Sequence, residues 1–114
     1  MSNTKKKFPL HQAAKAGEID VVKDLLAKGA NKEEENNKGS TPLIVAVMKN
    51  HLNVVQCLLE HGADMEKCRN DGWTPLIFAS GRGHTEIVRY LVEQGADKEK
   101  VTRGHGSTAL IVAA

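Results

Sequence analysis

The chain has 114 residues, a formal net charge of +2, 40% apolar and 26% charged residues. That is the composition of one soluble globular domain, and it excludes wholesale disorder. It also excludes a strongly basic nucleic-acid binder, a disulfide-dense secreted scaffold (there are two cysteines) and a membrane-spanning helix: no apolar run is longer than 109–114, far short of the roughly 20 residues that a bilayer requires.

Residues 1–7 contain Lys5, Lys6 and Lys7 with no apolar segment behind them, so they read as a solvated basic tail without a secretory signal. From Phe8 onward the chain repeats itself. Phe8-Pro9-Leu10-His11, Thr41-Pro42-Leu43-Ile44, Thr74-Pro75-Leu76-Ile77 and Thr108-Ala109-Leu110-Ile111 follow one another at intervals of 33, 33 and 34 residues. Gly29-Ala30-Asn31, Gly62-Ala63-Asp64 and Gly95-Ala96-Asp97 keep the 33-residue interval. So do Val21-Val22-Leu25-Leu26, Val54-Val55-Leu58-Leu59 and Ile87-Val88-Leu91-Val92. Three markers in one phase define a repeat. It divides the domain 8–114 into units 8–40, 41–73 and 74–107 and a partial fourth, 108–114.

Within a unit the pattern predicts helix, turn, helix and extended loop. Thr41 and Thr74 are N-caps ahead of a proline at the first helical position, where a missing N–H costs nothing. The first helix is short, about 42–49 in the second unit. It ends at Gly17, Asn50 or Gly83, residue types that tolerate a positive φ. The second helix runs over about 52–61, its apolar residues forming one stripe, and stops at Gly62. The stretch 63–73 is polar and turn-rich, with Asn70-Asp71-Gly72 as a hairpin signal. The predicted core is Leu43, Ala46, Val54, Val55, Leu58, Leu59, Leu76, Ala79, Ile87, Val88 and Leu91. With aromatics at only 4%, this core is aliphatic and suits thin layers of closely packed helices: six full ones and a partial seventh from about Thr108.

The chain resembles an ankyrin-repeat protein in its period of 33, in Thr41-Pro42-Leu43-Ile44-Val45-Ala46, in Gly83-His84 and in Gly62-Ala63-Asp64. The resemblance covers 8–114 and implies an all-α solenoid of stacked helix-turn-helix units with hairpin-like loops. A tetratricopeptide solenoid is the alternative fold, and the Gly-Ala-Asp stop and Asn-Asp-Gly loop argue against it. Ile44, Ile77 and Ile111 stand where the family usually has histidine, which only His11 keeps, so cohesion between units is expected to be more apolar. Glu33, Glu66 and Glu99 occupy places where family repeats often carry a hydroxylatable asparagine, and that modification is not expected.

No nucleophile–base signature or phosphate-cradling glycine motif is present, and Gly81-Arg82-Gly83 reads as turn chemistry, so no catalytic or cofactor residue is assigned. His51 and His84 lie one repeat apart, on layers about 8–10 Å apart, too far to share one zinc ion; the resemblance makes both of them starters of second helices. Cys57 aligns with Asp24 and Tyr90 and is expected to be partly exposed on a second helix, with Cys68 in the following loop. Two free thiols suit an intracellular setting, cytoplasmic or nuclear. Charge runs such as Lys32-Glu33-Glu34-Glu35 read as solvated loop faces. Trp73 aligns with Ser40 and Ser107, which implies an exposed place where it either packs on a neighbouring loop or contacts a partner.

The expected function is recognition of another protein, with no chemistry of its own. The resemblance implies that loop tips and the inner face of the first helices hold the partner. That assigns Asn37, Lys38, Ser40, Asn70, Asp71, Trp73, Gly104, His105 and Ser107 from the loops, and Met48, Lys49, Gly81 and Arg82 from the helices. One alternative is a regulatory or targeting segment of a larger enzyme or channel, cut at Ala114. Another is self-association through the C-terminal end, where Leu110, Ile111 and Val112 have no second helix to cover them.

Overall fold

A computed structural model describes residues 8–96; the helix expected from Thr108 and the candidate site residues Gly104, His105 and Ser107 lie outside the described residues. Among the described residues six helices come in three pairs: α1 (Pro9–Ala16) with α2 (Ile19–Ala27), α3 (Pro42–Met48) with α4 (Leu52–Glu60), and α5 (Pro75–Arg82) with α6 (Thr85–Glu93). No strand occurs among the described residues. The first helices, α1, α3 and α5, pack side by side in one layer; the second helices, α2, α4 and α6, form another behind it.

The repeated markers are helix signals with identifiable causes. Thr41 and Thr74 each accept a hydrogen bond on Oγ1 from the backbone N–H three residues on, at 3.2 Å in both, so one orphan donor of the first turn is satisfied. Phe8 holds the same place in the first unit, offers no such cap and sits at φ 56°. The Gly-Ala-Asx marker closes a second helix. At Gly62 the chain turns left-handed (φ 89°), its N–H donates to the Leu59 carbonyl, and the Ala63 N–H reaches back to that of Leu58 at 3.0 Å. Asp64 Oδ1 then accepts from the Glu66 N–H at 2.9 Å and starts the loop. The first helices end at Gly17, Asn50 and Gly83 with φ of 74°, 63° and 72°, as their residue types predict.

The core is the seam between the layers. Leu43, Ile44, Ala46, Val47, Val54, Val55, Leu58, Leu76, Ile77, Ala79, Ile87 and Leu91 are all buried. Leu59 and Val88 are only half-buried, against expectation. Leu59 shares a repeat position with Leu26 and Val92, all half-buried on their helices, and Val88 lines a shallow hollow with Ser80 and Thr85. Cys57 corrects a second expectation: it is 4% exposed. Its counterparts Asp24 and Tyr90 are more accessible because α4 is flanked by both α2 and α6.

Histidines tie unit to unit. His11 Nε2 donates to the Ser40 carbonyl at 2.8 Å, His51 Nε2 to that of Lys15 at 3.0 Å, and His84 Nε2 to that of Met48 at 3.4 Å. Gly17 makes the middle link sterically feasible, since a Cβ there would lie 2.8 Å from the His51 ring. The 32–35 charge run also departs from expectation, because it forms part of a loop-to-loop seam. Glu33 Oε2 accepts from the Asp64 N–H at 2.7 Å, while Lys67 Nζ donates to the Glu33 carbonyl at 2.9 Å and pairs with Glu35 at 3.6 Å.

Leu58 is fully buried whereas Val21 is 43% exposed. Leu58→Ala is therefore expected to cost about 2–5 kcal/mol by lost transfer energy plus a cavity, and Val21→Ala about 0.5 kcal/mol or less. Denaturant unfolding of the two variants checks this; equal costs would refute the helix phase.

Candidate functional site

Two hollows open side by side between the loop tips and the ends of the first helices. The first, about 340 Å³, is lined by Asn36, Asn37, Lys38 and Ser40 from the loop and by Met48 and Lys49 from the end of α3, with Phe8, Lys15 and Val45 completing it. The second, about 360 Å³, is lined by Asp71 and Trp73 from the next loop and by Gly81 and Arg82 from α5, together with Arg69 and Phe78. Nine of the expected site residues are thus brought together in two equivalent places, one unit apart. Asn70 is used differently: its side chain lies against Gly39, where a Cβ would come within 2.6 Å, and so the two loop tips stack closely.

Each tip is a closed turn. In the first, the Asn36 N–H donates to the Ser40 carbonyl, and Asn36 Oδ1 accepts from the N–H groups of Lys38 and Ser40 at 2.9 and 3.0 Å. In the second, the Arg69 N–H donates to the Trp73 carbonyl at 2.9 Å, and Asp71 Oδ1 accepts from the Trp73 N–H at 3.1 Å. These side-chain caps replace strand pairing and give the tips a fixed shape.

Ser40 and Trp73 are less exposed than their alignment implies. Ser40 is 2% exposed, because its backbone is a strut between the Asn36 turn and the His11 ring. Trp73 is half-buried. Its ring lies 5.1 Å from that of Phe78, and Arg69 stands 4.8 Å over the other ring of the pair. Trp73 precedes the N-cap Thr74 and Phe78 is the fourth helical residue of α5, so the pair is a hydrophobic staple that sets the angle of chain entry.

Sequence reasoning missed Lys15, Arg69 and Phe78. Lys15 is one repeat before Met48, and applying the first-helix positions to the first unit would have found it. The apolar spacing of Trp73 and Phe78 about a threonine N-cap was the available signal for the staple. Arg69 had none, since its role arises from Asp71 and Phe78 together.

Asp71 Oδ2 accepts from Arg69 Nη2 at 2.8 Å. Partial burial pushes the Asp71 carboxyl upward, but the Arg69 hydrogen bond, the Trp73 amide and the Arg69 charge outweigh it and hold the group below its ordinary value. Cys57 is not an activated thiol: burial pushes it up by more than the Lys23 charge pulls it down, and Glu60 adds a smaller upward push. His61 Nδ1 beside it donates to the Cys57 carbonyl at 2.8 Å. Among the described residues no group of His, Cys, Asp and Glu is arranged to hold a metal, and no helix is long and apolar enough to cross a membrane.

Because the folded state favours ionised Asp71, its stabilising contribution is present above the ordinary carboxylate pKa of about 3.9 and is lost as pH falls through the lower folded value. The stability difference between the wild type and Asp71→Asn should be constant near neutrality and shrink on acidification below about pH 4. Unfolding curves across that range measure it; a difference that grows in acid would be the wrong sign.

The chain was also compared with known proteins. Residues 1–67 match a family model described as ankyrin repeats (3 copies), and residues 43–92 match another described as ankyrin repeats (many copies). No curated protein matches the chain. The paired helices in two layers and the 33-residue interval agree with these matches, and the chain belongs to the ankyrin-repeat family.

Proposed function

We propose that this chain, in keeping with the general role of ankyrin repeats as protein–protein interaction modules, holds its partner in the concavity formed by the loop tips and the ends of α3 and α5, and that it does no chemistry of its own. The observation that carries this reading is the pair of equivalent hollows. The frame repeats from one to the next, while the residues lining it change from Lys38, Ser40 and Met48 to Asp71, Trp73 and Gly81. A repeated scaffold with unlike side chains at one place is suited to reading an extended surface. The closed tips add to this, since a preformed loop gives up little freedom on binding. The unbridged thiols Cys57 and Cys68 support a reducing compartment, cytoplasm or nucleus.

Ligands selected from a displayed peptide library against the full chain test this reading. Trp73→Ala should weaken their binding by about 2 kcal/mol or more, and Arg82→Ala, on an exposed side chain, should weaken it without loss of stability. Lys23→Ala and Arg89→Ala, exposed on the second helices, should change it by about 0.5 kcal/mol or less. Greater sensitivity at Lys23 and Arg89 would move the site to the outer face and refute the proposal.

A further inference from the structure

The net charge of +2 conceals a segregation of charge. α1, α3 and α5 contain no carboxylate. Every acidic side chain among the described residues except Asp71 lies on a second helix, at its start, or in the stretches 31–35 and 64–66. The hollows, with a smaller one continuous with the first, are lined by Lys15, Lys38, Lys49, Arg69 and Arg82. Asp71 is the one carboxylate lining them, and Arg69 neutralises it. Lys15, Lys38, Lys49 and Arg82 have no carboxylate within salt-bridge reach among the described residues.

Four uncompensated cations on one concave face cost stability through mutual repulsion and focus a positive potential into the space between them. Two of them keep the repeat: Lys49 and Arg82 are 33 residues apart, at the ends of α3 and α5. Between the cations the floor is apolar, with Val45 and Met48 in one hollow and Trp73 and Phe78 in the other. The occupant that this arrangement fits carries negative charge at the spacing of the units and apolar groups between.

We infer that the concavity takes an extended acidic segment of a partner protein, with a carboxylate for Lys49, another for Arg82, and an apolar side chain on the floor between them. The inference rests on the concave-face reading above and specifies its ligand. Neighbouring helices pack about 8–10 Å apart, and a polyproline II chain advances about 9 Å in each turn of three residues. Acidic residues at every third position of such a segment therefore meet successive units from the same side. A β-strand alternates its faces and does not keep this register.

The test uses the full chain and a fluorescein-labelled, proline-rich peptide with glutamate at every third position and leucine between. Anisotropy gives the affinity, and the fluorescence of Trp73, the only tryptophan, reports whether the ligand reaches the second hollow. The expected result is binding about tenfold or more tighter than that of the glutamine counterpart, lost by a similar factor in Lys49→Glu/Arg82→Glu. Binding should also weaken as ionic strength rises from about 0.1 M to about 1 M. Because glutamate at a helix C-terminus opposes the helix dipole, Lys49→Gln/Arg82→Gln serves as the second variant and should lose part of the affinity. Equal binding of the glutamine peptide, indifference to both double variants, tighter binding of a labelled oligo-dT, or no peptide binding would each overturn the inference. Library ligands that need Trp73 and Arg82 but carry no acidic excess would overturn it and leave the concave-face reading standing. Ligands sensitive only to Lys23 and Arg89 would remove both.

Discussion

No helix pair in this chain can bury its apolar stripe on its own partner alone. α3 packs on α4 behind it and also on α1 and α5 at its sides, and Ile44, Ala46 and Val47 are fully buried there. At about 25 cal/mol per Å² of apolar surface, the side contacts are as much a part of the core as the contact within a pair. The same requirement fixes the direction of growth. Units add along one axis, the second helices form one face, and the loop tips and first-helix ends are left on the other. Polar detail follows from the stacking: the carbonyls that the ends of α1 and α3 leave open are met by rings from the next unit, so the seam is hydrogen-bonded where it is not apolar.

Much of this was legible in the residues. Helix starts were announced by Thr-Pro and helix stops by Gly, Asn and Gly-Ala-Asx, because these signals act through the backbone of a few adjacent residues. The stripe Val54-Val55-Leu58-Leu59 gave the buried face for the same reason. Burial at single positions was harder to read. Alignment treats Cys57, Asp24 and Tyr90 as equivalent, but α4 has neighbours on both sides. The serine at position 40 suggested an exposed place, although the neighbouring His11 ring uses its carbonyl. The 32–35 run looked solvated because its partners, Asp64 and Lys67, are a full repeat away. The segregation of charge was present in the sequence as first helices without carboxylates, but the convergence of loop and helix cations into shared hollows required the fold.

The site and the scaffold draw on different residues. Positions that make the frame, such as Thr74, Pro75 and Leu76, are nearly invariant between units, whereas those facing the hollows are free to differ. Trp73 belongs to both sets: it staples the start of α5 to Phe78 and forms a wall of the second hollow. Asp71 does likewise, since its carboxylate closes the loop tip while cancelling Arg69. Changes at these two residues alter the shape of the surface and its stability together, while changes at Lys49 or Arg82 act through charge and leave the turns that close the tips in place.

The histidine that reaches back across each seam has a consequence for the length of the molecule. The links from His51 to Lys15 and from His84 to Met48 both span 36 residues. Each leaves a unit near the start of its second helix and lands near the end of the previous first helix. Excision or duplication of a whole 33-residue block rejoins an equivalent ring with an equivalent carbonyl, whereas a shift by a few residues within α3 or α4 strands both. The row of hollows therefore changes length only in whole steps, and the molecule acts as a ruler whose smallest division is one helix pair.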